Sequence, residues 1–398
     1  MLAKRMSQIA PSPTMAISAK TNAMIAKGIR VIDFGLGQPE FRTPDEASEA
    51  GIQAIRDGYT KYTPTAGADD LKSAIIEKLE NDHQLRYSKK EIIVSCGAKH
   101  SLYNIAQVLF EEGDEVIIPA PYWVTYPDQV RLNGATPVIV KTREEDRFLI
   151  TNDQLKDAIT PRTKAIILNS PSNPTGSVYT EKDFSGIADL LVSASLWIIS
   201  DEIYEKFIYD GKRYTGIASL SPDLKKKTIV VNGVSKSYSM TGWRIGYAAG
   251  PTEVIEAMST LQSQTTSNPT SISQKAAVAA LKKGGPFIST MVSEYSSRRA
   301  LVVEQLNKIP GIVCPHPAGA FYVFPNVSGL LGKRPTINSS AAFAEYLLDD
   351  YGVSTVPGEP FGVGGTAPAN GYLRLSYAAP KEALIEGLDK IKQAVLNL

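Results

Sequence analysis

Cysteine and histidine are scarce in this 398-residue chain, which holds two of the first and three of the second. Cys96 and Cys314 are too few and too far apart for a disulfide framework, so a reducing, cytoplasmic compartment is the expectation. His83, His100 and His316 share no ligand spacing, which leaves little from which to build a zinc site. An excess of either charge is also missing: 42 Lys and Arg face 41 Asp and Glu, a net charge of +1. That balance speaks against a chain built to neutralise nucleic-acid phosphates or to coat an anionic membrane. No apolar run approaches the roughly 18 residues of a membrane span, and the best, Leu190 to Ile199, is about half as long. The first 32 positions lack any acidic residue, a weak organelle-targeting signal. Against it, Pro11 and Pro13 should interrupt any long amphipathic helix, and Ser18 to Lys27 reads as an ordinary short helix stopped by Gly28.

What is present is the material of a large core. With 43% hydrophobic and 21% charged residues the chain is not a disordered one. Its length, at about 100–200 residues per domain, suits two or three domains or one large core with a smaller attachment. Short β-rich runs end in Gly/Pro/Asn loops at Glu91–Ser95, Glu115–Pro119, Thr136–Val140, Lys164–Asn169, Leu196–Ser200, Thr228–Asn232 and Gly246–Ala249. Segments of helical period lie between several of them, among them Lys99–Phe110, Asp153–Ile159 and Glu181–Val192. Strands alternating with helices predict an α/β fold with a mostly parallel, doubly covered sheet. Ligands of such sheets sit outside the carboxyl ends of the strands, so the loops after those runs are where chemistry should be sought. From about Lys282 the pattern changes to a long charged helix (Phe287–Leu306), separate strands near Phe321–Phe324 and Tyr372–Ser376, and a closing helix, Lys381–Leu396. These read as a smaller α+β unit. The Gly-rich stretch Pro357–Gly371 is the most loop-like part of the chain.

Three loops stand out. Asn169 is followed by Ser-Pro-Ser-Asn173-Pro-Thr-Gly, Ser200 by Asp201-Glu-Ile-Tyr204, and Val231 by Asn-Gly-Val-Ser235-Lys236-Ser-Tyr-Ser-Met-Thr-Gly-Trp-Arg244. Singly, each is ordinary: Asn-Pro makes turns, an acid at a strand end caps a helix, and a lone lysine is a solvated charge. Jointly, successive strand ends bring an amide, a carboxylate with a phenol, and a lysine with an arginine to one rim. That set suits a pyridine aldehyde: lysine for a Schiff base, carboxylate for the pyridinium nitrogen, phenol and amide for the ring oxygen, arginine for phosphate.

With the Ser-Lys-Ser-x-Ser-Met-Thr-Gly-Trp-Arg-Ile-Gly-Tyr segment and the upstream Asp-Glu-Ile-Tyr, the sequence resembles class I, fold-type I aminotransferases dependent on pyridoxal 5'-phosphate. Within them it is similar to the bacterial and plant aspartate aminotransferase subgroup that includes aspartate/prephenate enzymes, over nearly the whole chain. The resemblance implies that Lys236 carries the cofactor as a Schiff base and later moves the substrate's α-proton. It implies that Asp201 keeps the pyridine nitrogen protonated, that Asn173 and Tyr204 donate to the ring oxygen, and that Trp123 stacks on the ring. Gly97, Ala98, Lys99, Ser235 and Arg244 would hold the phosphate end, and Tyr62 would reach the phosphate of a neighbouring subunit, which implies a homodimer with shared sites. Arg374, in an alternating apolar strand where an unpaired charge is costly, would clamp the α-carboxylate. Gly37 would let the backbone approach the substrate. The implied division is a large cofactor domain at 45–285 and a small domain from 1–44 and 286–398 with an N-terminal substrate arm.

The implied activity moves an amino group between aspartate and 2-oxoglutarate. Animal-type and enteric relatives read the distal carboxylate with an arginine from the other subunit, but Leu261 to Gln274 carries no arginine here. Lys99, Ser12 and Thr14 occupy the positions that share this task in the similar subgroup, in which prephenate is also accepted. Some prephenate-active members have a lysine where this chain has Ala10. The alternatives are a carbon–sulfur lyase or an aromatic or alanine aminotransferase of the same fold. A non-catalytic aminotransferase-like binding module is opposed by the complete Lys236/Asp201/Arg374 set and by the lack of a helix-turn-helix segment.

Overall fold

The computed structural model describes residues 2–9, 11, 13–363 and 371–398. Twelve strands run through the described residues: β1 (Ile32–Asp33), β2 (Ile92–Ser95), β3 (Glu115–Ala120), β4 (Thr136–Lys141), β5 (Thr163–Asn169), β6 (Trp197–Asp201), β7 (Thr228–Gly233), β8 (Gly246–Ala249), β9 (Tyr322–Val323), β10 (Val353–Ser354), β11 (Val356–Pro357) and β12 (Leu373–Ser376). Seven of them form one sheet in the order β2-β8-β7-β6-β5-β3-β4. Every neighbouring pair is parallel except those of β8, which runs against both β2 and β7. The central strands are apolar on both faces because helices cover both, and β7 is buried along its whole length.

Local chemistry explains where the helices begin. Thr151 opens Asn152–Ala158 and Thr180 opens Glu181–Ser193; each hydroxyl accepts from the amide three residues on, at 3.3 Å. In both, the side chain of that third residue returns the bond to the threonine amide, closing a capping box. All seven β-runs read from the sequence are strands, within one residue at each end.

Two readings need correction. Pro13 does not interrupt the N-terminal helix; it is the first residue of Pro13–Ala26, where the missing amide would have had no partner anyway. Pro357 is not loop but the end of β11, paired with Leu373 of β12. The rest of that Gly-rich stretch at 364–370, together with Ser12 and Ala10, lies outside the described residues.

The register sets the rim. Asn169 pairs with Asp201 across β5–β6, and Asp201 with Val231 across β6–β7, so three chain reversals leave the sheet side by side. Because β8 is antiparallel, its first residue lies at this same rim, and Arg244 arrives there just before it. The antiparallel β11-β12-β9 sheet brings Arg374, opposite Val356, from far along the chain. β1 pairs in parallel with β10.

Gly246 faces Gly233 across β7–β8, and a Cβ on Gly246 would stand 2.1 Å from the amide nitrogen of Ala98. The strand therefore packs directly on the loop that starts the helix Ala98–Leu109. Gly246→Ala should cost at least about 1–3 kcal/mol; an unchanged denaturation midpoint would contradict this packing.

Candidate active site

The loops after the strand ends and the segment around β12 close on one cleft of about 470 Å³. Ala98 and Lys99 come from the end of β2, Trp123 from β3, Asn173 from β5, Asp201 and Tyr204 from β6, and Ser235 and Lys236 from β7. Arg244, Arg374, Gly37 and Thr14 complete the wall. Tyr62 does not line it; this side chain is 91% exposed on the surface.

Asp201 is buried at the floor. Burial pushes its carboxyl up to about 6, against the pull of the Tyr126 hydroxyl, the Ile203 amide and the Lys236 charge. Tyr126 donates to its Oδ2 at 2.6 Å and the Ile203 amide to its Oδ1 at 3.3 Å. Asn169 ties the floor to the next loop: its Nδ2 donates to the Asp201 carbonyl at 3.0 Å, and its Oδ1 accepts from the Asn173 amide at 2.8 Å.

Lys236 donates from Nζ to the carbonyl of Gly37. Burial first, then the guanidinium groups of Arg374 and Arg244, bring its amine down to about 8. Arg374 is 3% exposed; Nη1 donates to Asn173 Oδ1 at 3.1 Å, Nη2 to the Gly35 carbonyl at 2.6 Å, and Nε has no partner. Arg244, in the left-handed region at φ 56°, donates to the carbonyls of Thr241 at 2.8 Å and Cys96 at 3.3 Å. Gly97 also has positive φ, at 90°, and a Cβ there would lie 2.3 Å from Arg244 Nη2. Glycine is thus required where this guanidinium meets the start of the helix Ala98–Leu109. The Lys99 ammonium sits 4.8 Å from the centre of the Trp123 ring, its pKa lowered by burial and by Arg244.

A single property unites these four cations. Among the described residues none of Lys99, Lys236, Arg244 and Arg374 forms an ion pair, whereas the buried Arg298 and Arg299 bind Glu40 and Asp210. The cleft thus sets four cations without ion pairs around one buried carboxylate at its floor.

The model of the class I and II aminotransferase family matches residues 29–391. The chain belongs to that family. Among its relatives, an aspartate aminotransferase of Geobacillus stearothermophilus is 48% identical over 393 residues, covering 98% of each chain. An aspartate/prephenate aminotransferase of Cereibacter sphaeroides is 45% identical, again over 98% of each. The solved aspartate aminotransferase from Thermus thermophilus with maleate superposes with a TM-score of 0.92 at 38% identity, over 99% of both chains. The mixed seven-stranded sheet is the fold-type I sheet of this family.

This aminotransferase cleft also holds residues that the sequence did not single out. Tyr322 of β9 gives its hydroxyl to a 2.9 Å bond with Tyr204, and its ring lies 4.7 Å from the Arg374 guanidinium. In sequence it is one aromatic in the short apolar run Phe321–Phe324, with no local mark of a site. Tyr126 reads equally as a core aromatic. Elsewhere, Asp82, His83 and Glu205 gather with ligand atoms within 4.8 Å, a proximity that the histidine spacing did not reveal. Lys78 bonds both carboxylates and Lys206 bonds Asp82, so ammonium groups already hold the place of a cation.

In cofactor-free protein Lys236 should lose its proton near pH 8, not at the ordinary 10.5. The pH dependence of its acetylation, read by mass spectrometry, should place the midpoint there. Arg374→Leu should move that midpoint upward by roughly one unit, because the like charge with the largest influence on it is gone. An unmoved midpoint would refute the electrostatic cause.

Proposed function

We propose that this protein is a pyridoxal 5'-phosphate-dependent aspartate aminotransferase, converting aspartate and 2-oxoglutarate to oxaloacetate and glutamate by a ping-pong route. The observation that carries the reading is the set of cations that form no ion pair among the described residues around Asp201: buried Arg374, half-buried Lys236, and the more exposed Arg244 and Lys99. A phosphate and two carboxylates need three fixed positive charges, and Arg244, Arg374 and Lys99 supply them.

The residues fit the cofactor. Arg374 keeps an orphaned buried Nε for an incoming anion, Gly97 leaves no room for a side chain beside Arg244, and Lys236 is a buried amine with depressed basicity. When bound, pyridoxal 5'-phosphate supplies an aldehyde to condense with amines and a ring that accepts the electrons of the substrate's Cα–H bond. Lys236 would carry it, and its amine, once free, would take and return the proton at the substrate's Cα. Asp201 would hold a proton at the pyridine nitrogen. Asn173 and Tyr204 would orient the ring oxygen, Trp123 would cover one ring face, and Ser235, Arg244 and the Gly97–Lys99 turn would hold phosphate at a helix N-terminus.

Arg374 would fork onto the α-carboxylate, beside the backbone at Gly37, while Lys99 and Thr14 would read the distal carboxylate. The Thermus thermophilus relative was solved with maleate, a dicarboxylate, which supports a two-carboxylate substrate here. The same Lys99 and Thr14, and the relatives named aspartate/prephenate aminotransferase, support prephenate as a second acceptor. Ser12 belongs to the same arm. The exposed Tyr62 supports a homodimer in which it reaches the partner's phosphate. A large domain at 45–285 and a small domain from both chain ends belong to the same reading, supported by the two sheets that meet at the cleft.

Purified protein should be yellow, with a visible band that aspartate shifts. Lys236→Ala should nearly abolish turnover of oxaloacetate, 2-oxoglutarate, prephenate and phenylpyruvate alike; unaltered turnover would refute its role.

Removing the second positive charge isolates specificity. Lys99→Ala should lower kcat/KM for aspartate by about ten-fold or more, the worth of a charge-assisted bond, with alanine much less affected. Equal losses for both would show that Lys99 does not read the distal carboxylate.

A further inference from the structure

The floor of the cleft contains a group to which neither the sequence motifs nor the proposed chemistry gives a task. Tyr126 opens the short helix Tyr126–Arg131, three residues after Trp123. It is 2% exposed, and its hydroxyl makes the shortest described bond to Asp201, at 2.6 Å. Its ring meets Trp123 edge-on at 5.5 Å, so one rigid aromatic touches both the floor carboxylate and the wall indole. Neither contact can relax independently in a packed interior.

We propose that Tyr126 is a positioning residue that fixes the Asp201 carboxylate in its ionised form and aims it at the ring nitrogen of the cofactor. The inference rests on the cofactor reading above. The surroundings leave this hydroxyl as the principal support. On the Asp201 side, burial opposes charge, and the groups that favour the anion are the Tyr126 hydroxyl, the Ile203 amide and the Lys236 charge, in that order. The other titratable neighbours, Tyr204 and Tyr214, are buried phenols whose own pKa values are raised, in part by the Asp201 charge itself. Neither donates to the carboxylate. On the Tyr126 side, burial and Asp201 keep the phenol protonated throughout the working range, so it remains a donor. Lys236, meanwhile, is committed to the cofactor when the site is loaded. Its charge then no longer serves Asp201 in the same way, and the neutral hydroxyl becomes the constant partner.

A hydrogen bond to a charged group in a dry site decides which protonation state survives. Without it, the carboxyl pKa climbs, and the fraction able to face a protonated pyridine falls as pH drops. The loss must therefore begin at higher pH than in the unaltered protein.

The test titrates cofactor-free protein with pyridoxal 5'-phosphate, followed by tryptophan fluorescence, from pH 5 to 8.5. Tyr126→Phe should bind about ten-fold more weakly at neutral pH, with the acid limb of affinity displaced upward. In an Asp201→Asn background the same change should cost less than about two-fold, because the carboxylate it serves is gone. Affinity within two-fold of the unaltered protein, or an equal loss in both backgrounds, would overturn the proposal; a merely structural tyrosine would leave the acid limb in place. Site-specific 3-fluorotyrosine at position 126 keeps the shape and strengthens the donor, so the acid limb should move downward even if the phenylalanine variant does not fold. No movement there would overturn it. Failure of the unaltered protein to bind the cofactor would overturn the cofactor reading itself, and this inference with it. Normal binding by the unaltered protein with an indifferent variant would overturn this inference alone.

Discussion

Everything in the site depends on gathering positive charges in one cleft without giving them carboxylates. A buried cation lacking a counter-ion costs several kcal/mol in a dry interior. For buried Arg374 the fold reduces that cost with neutral acceptors, an amide oxygen and a carbonyl, while the exposed Arg244 donates to two carbonyls and the half-buried Lys236 to one. Carbonyl dipoles hold the cations in place and leave their charge uncancelled. Where an arginine serves only packing the solution is different, as Arg298 with Glu40 and Arg299 with Asp210 demonstrate. The contrast is one of partner type: carbonyl and amide acceptors in the cleft, carboxylates at Arg298 and Arg299.

Such an arrangement needs a stiff frame, because mutually repelling cations would otherwise move apart into solvent. The rim of a parallel sheet supplies it. Asn169, Asp201 and Val231 leave the sheet in register, and Asn169 then bonds both the Asp201 carbonyl and the Asn173 amide. Asn173 passes the constraint on to Arg374, which belongs to a different sheet. One amide side chain therefore locates the β12 guanidinium relative to the floor carboxylate. The reversed direction of β8 is as important, since a parallel strand would carry Arg244 to the opposite edge.

How much of this could be read from residues alone follows from the range of the interactions. Strand ends and the loops after them are local, so Asn173, Asp201 and Lys236 could be gathered from the alternation of elements. Capping boxes at Thr151 and Thr180 are local too, and those helices begin within one residue of where the pattern places them. Arg374 was legible only as an anomaly, a charge in an apolar strand. Tyr126 and Tyr322 were not legible, because an aromatic that donates one hydroxyl to a site has the same sequence context as one that fills a core. The direction of β8 was hidden for a related reason: four apolar residues do not reveal which way they run. Asp82 and His83 meet Glu205 only through tertiary packing, beyond any spacing rule. Pro13 misled because proline opens a helix as readily as it interrupts one.

The same charges that receive anions also govern the amine. Burial first, then Arg374 and Arg244, bring Lys236 down to about 8, so much of it is neutral and nucleophilic at mildly alkaline pH. A phosphate on Arg244 and a carboxylate on Arg374 would offset the electrostatic part of that depression and leave burial, its largest cause, in place. In the proposed function the amine would then become more basic when substrate is in place, which is when it would take a proton from carbon. Counter-ions built into the protein would have cancelled those fields permanently and removed the difference between the two conditions. Neutral acceptors keep it: in the proposed function the amine would be set for attack before the anions arrive and for proton transfer afterwards.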